Sequence, residues 1–271
     1  MPIWKNPKWF KSAERQQQLD QHVRRTGQAR FGLNTFAEKE KAAAVRRHFE
    51  RVAPKYDFMN SLLSFGIQRS WKRAAMRWLN PGPGSRILDL CGGTGDLAHL
   101  AAARTGSDGR AIICDINMAM MSAGRKTYAP HPLARRIDWV QGDAEAIPCP
   151  DETFDAAMVG FGIRNLTHLE QGFAEMHRVL KPGGKFLCLE FSRPTNTLFR
   201  SLYDFYSFNI MPLLGNLIAG SAESYACLPE TIRMFPLPAE LAAILSDCGF
   251  RNVTYRPMTN GMVVAHLAMK R

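Results

Sequence analysis

The chain has 271 residues, 46% of them hydrophobic, enough for one large core or a core with an appendage. The longest apolar stretch, Phe208 to Gly220, carries Asn209, Pro212 and Asn216 and is too short to cross a bilayer. The net charge is +11, and +7 of it lies in residues 1–51, where 12 Lys and Arg face 5 Asp and Glu. The body is therefore nearly neutral, and the basic segment suits nucleic acid or an anionic membrane surface.

Residues 1–37 read as a basic N-terminal arm. Its stretch "WKNPKWFK" (Trp4 to Lys11) interleaves aromatic and lysine residues. That pattern fits a solvated terminus, or an interfacial anchor with indoles at headgroup depth. The apolar run of a secretory signal is missing, and the six cysteines are scattered without a CxxC pair. A reduced, cytoplasmic chain is expected, with neither disulfide framework nor metal site.

Residues 38–80 read as N-terminal helices. Ala42, Val45, Phe49 and Val52 recur at helical spacing over 38–53. The next stretch, from Lys55, reads as a turn leading to a helix from about Gln68 to Leu79. "NPGPG" (Asn80 to Gly84) breaks the pattern and marks the edge of a domain covering 81–271.

Short strands and helices then alternate. "RILDLC" (86–91) is a strand, followed by a glycine turn and a helix from about Leu97. "AIICD" (111–115) precedes a helix from about Met118, and "IDWVQGD" (137–143) is the third strand. "FDAAMVGF" (154–161) leads to a helix over about 169–180, and "GGKFLCLEF" (183–191) is the fifth strand. A helix at 238–250 and two closing strands complete the series. Such alternation predicts an α/β fold, a mostly parallel sheet covered by helices on both faces. The segment of about 193–236 does not fit the alternation. It is too long for a structureless connection and is read as a mostly helical cap over the strand ends.

The chemistry concentrates at those strand ends. In "LDLCGGTGDL" (Leu88 to Leu97), Asp89 closes an apolar strand, and Gly92, Gly93 and Gly95 permit a tight turn and close approach of a ligand. Thr94 adds a hydroxyl near the next helix start. The Gly-Lys-Ser/Thr ending of a phosphate loop is absent, and the glycine spacing is not GxGxxG. A carboxylate beside the turn repels a pyrophosphate and suits a cationic amino-acid moiety. Asp115 ends the second strand, where a carboxylate can accept both hydrogens of a ribose diol. Asp143 ends the third, followed by Ala144, at the level of an adenine amine. Amino acid, ribose and adenine without phosphate describe S-adenosylmethionine.

At these residues the chain resembles the ubiquinone/menaquinone C-methyltransferase family of the UbiE type, over roughly residues 31–271. "YDFMNSLLSFGIQRSWKR" (Tyr56 to Arg73) and "RVLKPGGKFLCLEFS" (Arg178 to Ser192) resemble the two family signatures. "DINMAMM", "GDAEAIPCPDETFD", "FGIRN" and "YDFYSFNIMPLLG" match in the same order. The resemblance implies a Rossmann-like class I methyltransferase with a seven-stranded sheet. It implies S-adenosylmethionine contacts from Thr94, Asp115, Asp143 and Ala144. The implied reaction methylates a ring carbon of a polyprenylated benzoquinol or naphthoquinol. Two positions depart from the family pattern: Gln68 replaces a frequent histidine, and Gly160 a frequent serine that contacts the cofactor.

Carbon becomes nucleophilic when an adjacent ring hydroxyl ionises, so a cation is needed at the developing oxyanion. Arg164, just past the fourth strand, is assigned that role; a guanidinium keeps its proton and is a poor base. Asn165 would orient a hydroxyl or water, and Asp204 and Tyr206, or water held by them, are the base candidates. Phe199, Tyr203, Phe205, Phe208, Met211, Leu213 and Leu214 are candidates for an apolar groove around the acceptor's tail. An anionic membrane surface is the expected peripheral partner, and a homodimer or a biosynthetic complex the expected assembly. A phosphatidylethanolamine N-methyltransferase, and a non-catalytic cofactor-binding member of a quinone complex, are the competing readings. A nucleic-acid methylase is disfavoured: the fourth strand ends in Gly-Phe-Gly-Ile-Arg-Asn rather than Asn/Asp-Pro-Pro-Tyr, and no basic, aromatic-interleaved stripe occurs in the body.

Overall fold

In the computed structural model, which describes residues 9–219 and 222–271, period-two alternation along the strands builds two apolar faces on one sheet. Leu88, Leu90, Ala157, Val159, Phe186 and Cys188 join one buried cluster. Their neighbours Ile87, Ala156, Met158, Leu187 and Leu189 join another on the opposite face.

In chain order, the N-terminal part contains α1 (Ser12–Arg15), α2 (Asp20–Thr26), a hairpin of β1 (Gln28–Phe31) and β2 (Asn34–Ala37), α3 (Glu38–Val52), α4 (Tyr56–Leu63) and α5 (Gln68–Leu79). The body follows with β3 (Arg86–Leu90), α6 (Asp96–Ala102), β4 (Arg110–Asp115), α7 (Met118–Tyr128), β5 (Ile137–Gln141), β6 (Phe154–Gly160), α8 (Leu169–Val179) and β7 (Leu180–Phe191). The cap comprises α9 (Thr197–Phe205), a π-helical turn (Tyr206–Ile210), α10 (Met211–Ala219) and α11 (Ala222–Met234). The chain closes with α12 (Pro238–Asp247), β8 (Arg251–Met258) and β9 (Val263–Met269).

The seven-stranded sheet runs β5-β4-β3-β6-β7-β9-β8, with β9 antiparallel to both neighbours. Strand order reverses between β3 and β6, which pair in parallel. The crevice outside their carboxyl ends is where an open α/β sheet accepts a ligand. Long apolar strands buried on both faces specify this sheet, and the α/β expectation holds element by element.

Two expectations change. The stretch after Lys55 is a helix, α4, rather than a turn: Met59 and Leu63, one turn apart, are buried against Met211 and Tyr225 of the cap. The basic residues 9–37 are not a solvated arm. Arg15 makes a bidentate pair with Glu240, at 2.6 and 2.8 Å. The Asp20 carboxylate accepts from the backbone of Glu170 and Gln171, capping the start of α8. Trp4, Lys5 and Lys8 of the aromatic–lysine pattern lie outside the described residues.

Candidate active site

Two cavities meet at the switch point. The larger, about 430 Å³, lies between the carboxyl ends of β3 and β6, helices α3 to α5 and the cap. The smaller, about 100 Å³, continues along the ends of β4 and β5. Phe49, Tyr56, Gly93, Gly160 and Asn165 line both. A ligand spanning the smaller cavity therefore faces the larger across this shared wall.

Asp89 lies at the floor of the larger cavity, 1% exposed. Its Oδ2 accepts from the Ala98 amide at 2.9 Å, while Oδ1 is buried without a partner among the described residues. Burial raises its pKa to about 7. An unpaired buried carboxylate oxygen is costly by itself and is satisfied by a ligand's ammonium. Asp115 accepts from the Gly93 amide at 2.9 Å with one oxygen and from Asn117 at 2.7 Å with the other. Those bonds fix both oxygens at the edge of the smaller cavity, each with a lone pair to spare for a diol. Asp143 gives one oxygen to the Glu145 amide, at 2.9 Å, and has no bond on the other among the described residues. Ala144 beside it is buried in the same wall. Ammonium, diol and exocyclic amine thus each find an acceptor, and the residues fit S-adenosylmethionine.

Thr94 and Gly95 act less directly than expected. The Thr94 hydroxyl donates to Asp57 at 2.7 Å, tying α4 to the glycine turn. Gly95, at φ +88°, starts α6 and lines neither cavity. A Cβ there would sit 2.8 Å from Ile113 Cδ1 and 3.1 Å from Trp139, so only glycine lets α6 approach the sheet. Gly160 has a similar reason: a Cβ would meet Leu97 Cδ1 at 2.5 Å. Leu97 thus occupies the side on which a serine would need room.

Arg164 sits in a one-turn 3₁₀ helix (Ile163–Asn165) and is 9% exposed. Its Nη1 donates to Glu190 Oε1 at 2.8 Å and to the Phe161 carbonyl, and Nε donates to Thr231 Oγ1 at 3.3 Å. Nη2 makes no hydrogen bond among the described residues, and the side chain lines the larger cavity. The guanidinium is thus held on one side and offers its other side to a ligand. Burial raises the Glu190 pKa, and the Arg164 charge opposes that rise. Pairing of two nearly inaccessible side chains fixes the orientation of the cation. Asn165 lines both cavities.

The two proposed bases do not converge on this point. Asp204 pairs with fully buried Arg233 at 2.5 Å and lines neither cavity. Tyr206 lines the larger cavity, but its hydroxyl donates to the Leu63 carbonyl at 2.8 Å. Of the groove candidates, Phe199, Tyr203 and Met211 line the cavity. Phe205 and Leu213 are exposed, Phe208 stacks under Arg233, and Leu214 packs in the cluster between α4 and the cap. The amphipathic spacing could not tell the inner face from the outer one, because the π-helical turn rotates the register between α9 and α10. Residues missed at the sequence level include Asp57, Tyr56 and His48, all contributed by the N-terminal helices. For Tyr56 and Asp57 the signal was the family signature beginning at Tyr56; His48 lies before it and had none.

Comparison with known proteins agrees with this fold. A solved structure of similar fold, that of a SAM-dependent methyltransferase from Thermotoga maritima, is matched over 83% of this chain and 99% of its own at TM-score 0.57 and 18% identity. At that identity only the fold is shared. The chain is 45% identical over 240 residues to ubiquinone/menaquinone biosynthesis C-methyltransferase UbiE of Ectopseudomonas mendocina, covering 89% of this chain and 94% of that protein. It is 40% identical over 280 residues to the human mitochondrial 2-methoxy-6-polyprenyl-1,4-benzoquinol methylase, covering 91% and 86%. The model of the ubiE/COQ5 methyltransferase family matches residues 36–270, so the chain belongs to that family.

Proposed function

We propose that this chain transfers a methyl group from S-adenosylmethionine to a ring carbon of a polyprenylated quinol. The observation that carries the reading is the buried Arg164, with one side of its guanidinium free, lining a large, mostly apolar cavity beside the strand-end acids that fit the donor. The donor supplies an activated methyl group on a sulfonium. The chain's own task is to orient the acceptor and stabilise the charge that grows on its oxygen. Arg164 meets the second need, and Glu190 holds it in place. Asn165, on the wall shared by both cavities, is placed to orient the ring hydroxyl or a water. The cap and α3 to α5 exclude bulk water from the oxyanion, which strengthens its interaction with Arg164.

The reading extends to a peripheral membrane position. No described helix is long and apolar enough to cross a membrane. The cap and α4 nevertheless expose Phe58, Leu62, Leu198, Leu202, Leu213 and Leu217, in pairs one helical turn apart. Leu202 also lines the cavity, so the apolar surface runs to its rim. A polyprenyl tail gains about 0.8 kcal/mol per CH₂ kept out of water, and an apolar rim against lipid lets it stay there. Sedimentation with vesicles is the check: binding that survives Leu198→Ser/Leu202→Ser/Leu217→Ser removes this rim from the account.

The reaction is tested by quinone profiling in a strain lacking the gene, complemented with the parent or with Arg164→Ala. Accumulation of a demethylated quinone, relieved only by the parent, is expected, and its ring identifies the acceptor. Unchanged benzoquinone and naphthoquinone profiles would overturn the reading.

A further inference from the structure

Most polar side chains around the larger cavity are already engaged. Trp71 Nε1 donates to Thr259 Oγ1 at 2.8 Å, Lys72 to Asp96 at 2.6 Å, and the Thr231 hydroxyl to the Leu228 carbonyl at 2.9 Å. Gln68 bonds Ser61 at 3.3 Å and Tyr206 bonds the Leu63 carbonyl. Two groups differ. The Tyr225 hydroxyl is buried without a hydrogen-bond partner among the described residues, in a residue only 7% exposed. The His48 imidazole lines the same cavity and makes no hydrogen bond among the described residues.

Both rings are held in place despite their idle polar atoms. His48 stands edge-on to Phe31 at 5.3 Å and to Phe49 at 5.2 Å. Tyr225 belongs to the cluster formed by Met59, Leu63 and Met211, so its ring is fixed between α4 and the cap. Burial first, then the charges of Arg51 and Arg164, bring the His48 pKa down to about 4. The imidazole is therefore neutral in the cell, with one nitrogen free to accept and one to donate. Buried polar groups without partners are uncommon in folded proteins, and those facing a cavity point to a ligand's polar atoms.

We propose that His48 and Tyr225 form a second polar anchor of the acceptor cavity, binding the ring oxygen that Arg164 does not take. This rests on the quinol reading, because a quinol ring carries two oxygens para to each other. His48 accepts the second hydroxyl's proton in a hydrogen bond without removing it, and Tyr225 donates to a lone pair of the same oxygen. No bond is made or broken at this anchor. It fixes the ring's rotation, and hence which carbon faces the donor. A phenol with a single oxygen leaves the anchor unpaired and is a poorer substrate.

The test uses the full-length protein, S-adenosylmethionine, and a short-prenyl demethylated quinol kept reduced. Tyr225→Phe removes only an oxygen without a partner among the described residues, so its Tm should stay within a degree or two of the parent or rise. His48→Phe removes the acceptor nitrogen, and His48→Gln keeps a hydrogen-bonding amide. The expected result is a KM for quinol at least tenfold higher in Tyr225→Phe and His48→Phe, partial recovery in His48→Gln, and an unchanged Kd for S-adenosylmethionine. Parent KM values in both substitutions to Phe would overturn the anchor while leaving the quinol reading intact. A parent protein that binds S-adenosylmethionine yet methylates no quinol would overturn the quinol reading, and the anchor with it.

Discussion

Asp89 makes donor binding depend on pH in a way that can be calculated. Its carboxyl has a pKa of about 7 without ligand, chiefly because it is buried, and its Oδ1 has no partner among the described residues. A ligand ammonium at Oδ1 returns the carboxyl to its ordinary range, so binding expels the proton wherever Asp89 still carries one. At pH 6 roughly nine molecules in ten are protonated, and at pH 7 about half. Binding should then release about 0.9 proton at pH 6 and about 0.5 at pH 7. The Kd should fall about fivefold between those two values, or about 1 kcal/mol. The sign is that of an acid whose pKa is raised in the free protein: affinity grows as pH rises towards 7 and then levels off. Isothermal titration in two buffers of different ionisation enthalpy measures the proton directly. Asp89→Asn, nearly the same shape, should bind more weakly and lose this dependence. His48 titrates well below the window, near 4, and does not mimic the effect. A Kd flat from pH 6 to 7, with no buffer-dependent enthalpy, would refute the argument.

Arg164→Ala should lower turnover at least ~10²-fold, the loss expected for one oxyanion donor. The Kd for S-adenosylmethionine should hold, and near-normal turnover at saturating quinol would remove Arg164 from the chemistry. Gly160→Ser should cost no more than about 1.5 kcal/mol in urea unfolding, because only the flexible end of Leu97 must give way beside it; a larger loss would mean that Leu97 cannot move. Arg15→Ala should cost about 1–2 kcal/mol by the same measurement, since two charge-assisted bonds to partly exposed Glu240 are lost. If it unfolds like the parent, residues 9–37 do not brace the body.

Asp89, Asp115 and Asp143 were legible in the amino-acid sequence because each ends an apolar strand. In a parallel sheet all strand ends of that kind lie on one edge, so three acids at three ends become neighbours without further information. Arg164 was legible for the same reason, standing just past β6. Asp204 and Tyr206 were misread as bases because they lie in a helical insertion. There, composition says that an apolar face exists but not which residues turn inward, and Asp204 had Arg233 as its partner 29 positions away. Residues 1–37 were likewise judged by net charge, which counts lysines and arginines but cannot locate their partners. Arg15 finds Glu240 and Asp20 finds the start of α8 only when the chain has folded.

The sequence by itself determined the sheet, its helical cover and the strand-end acids, because these follow from short-range periodicity and a strict rule of topology. Only the tertiary structure decided which polar groups are already bonded and which remain free. Glu190 holds one side of Arg164 and leaves the other open, Thr94 is engaged by Asp57, and His48 and Tyr225 line the cavity without hydrogen-bond partners among the described residues. Free hydrogen-bonding capacity depends on every neighbour within about 3 Å, and those neighbours come from segments far apart in the chain.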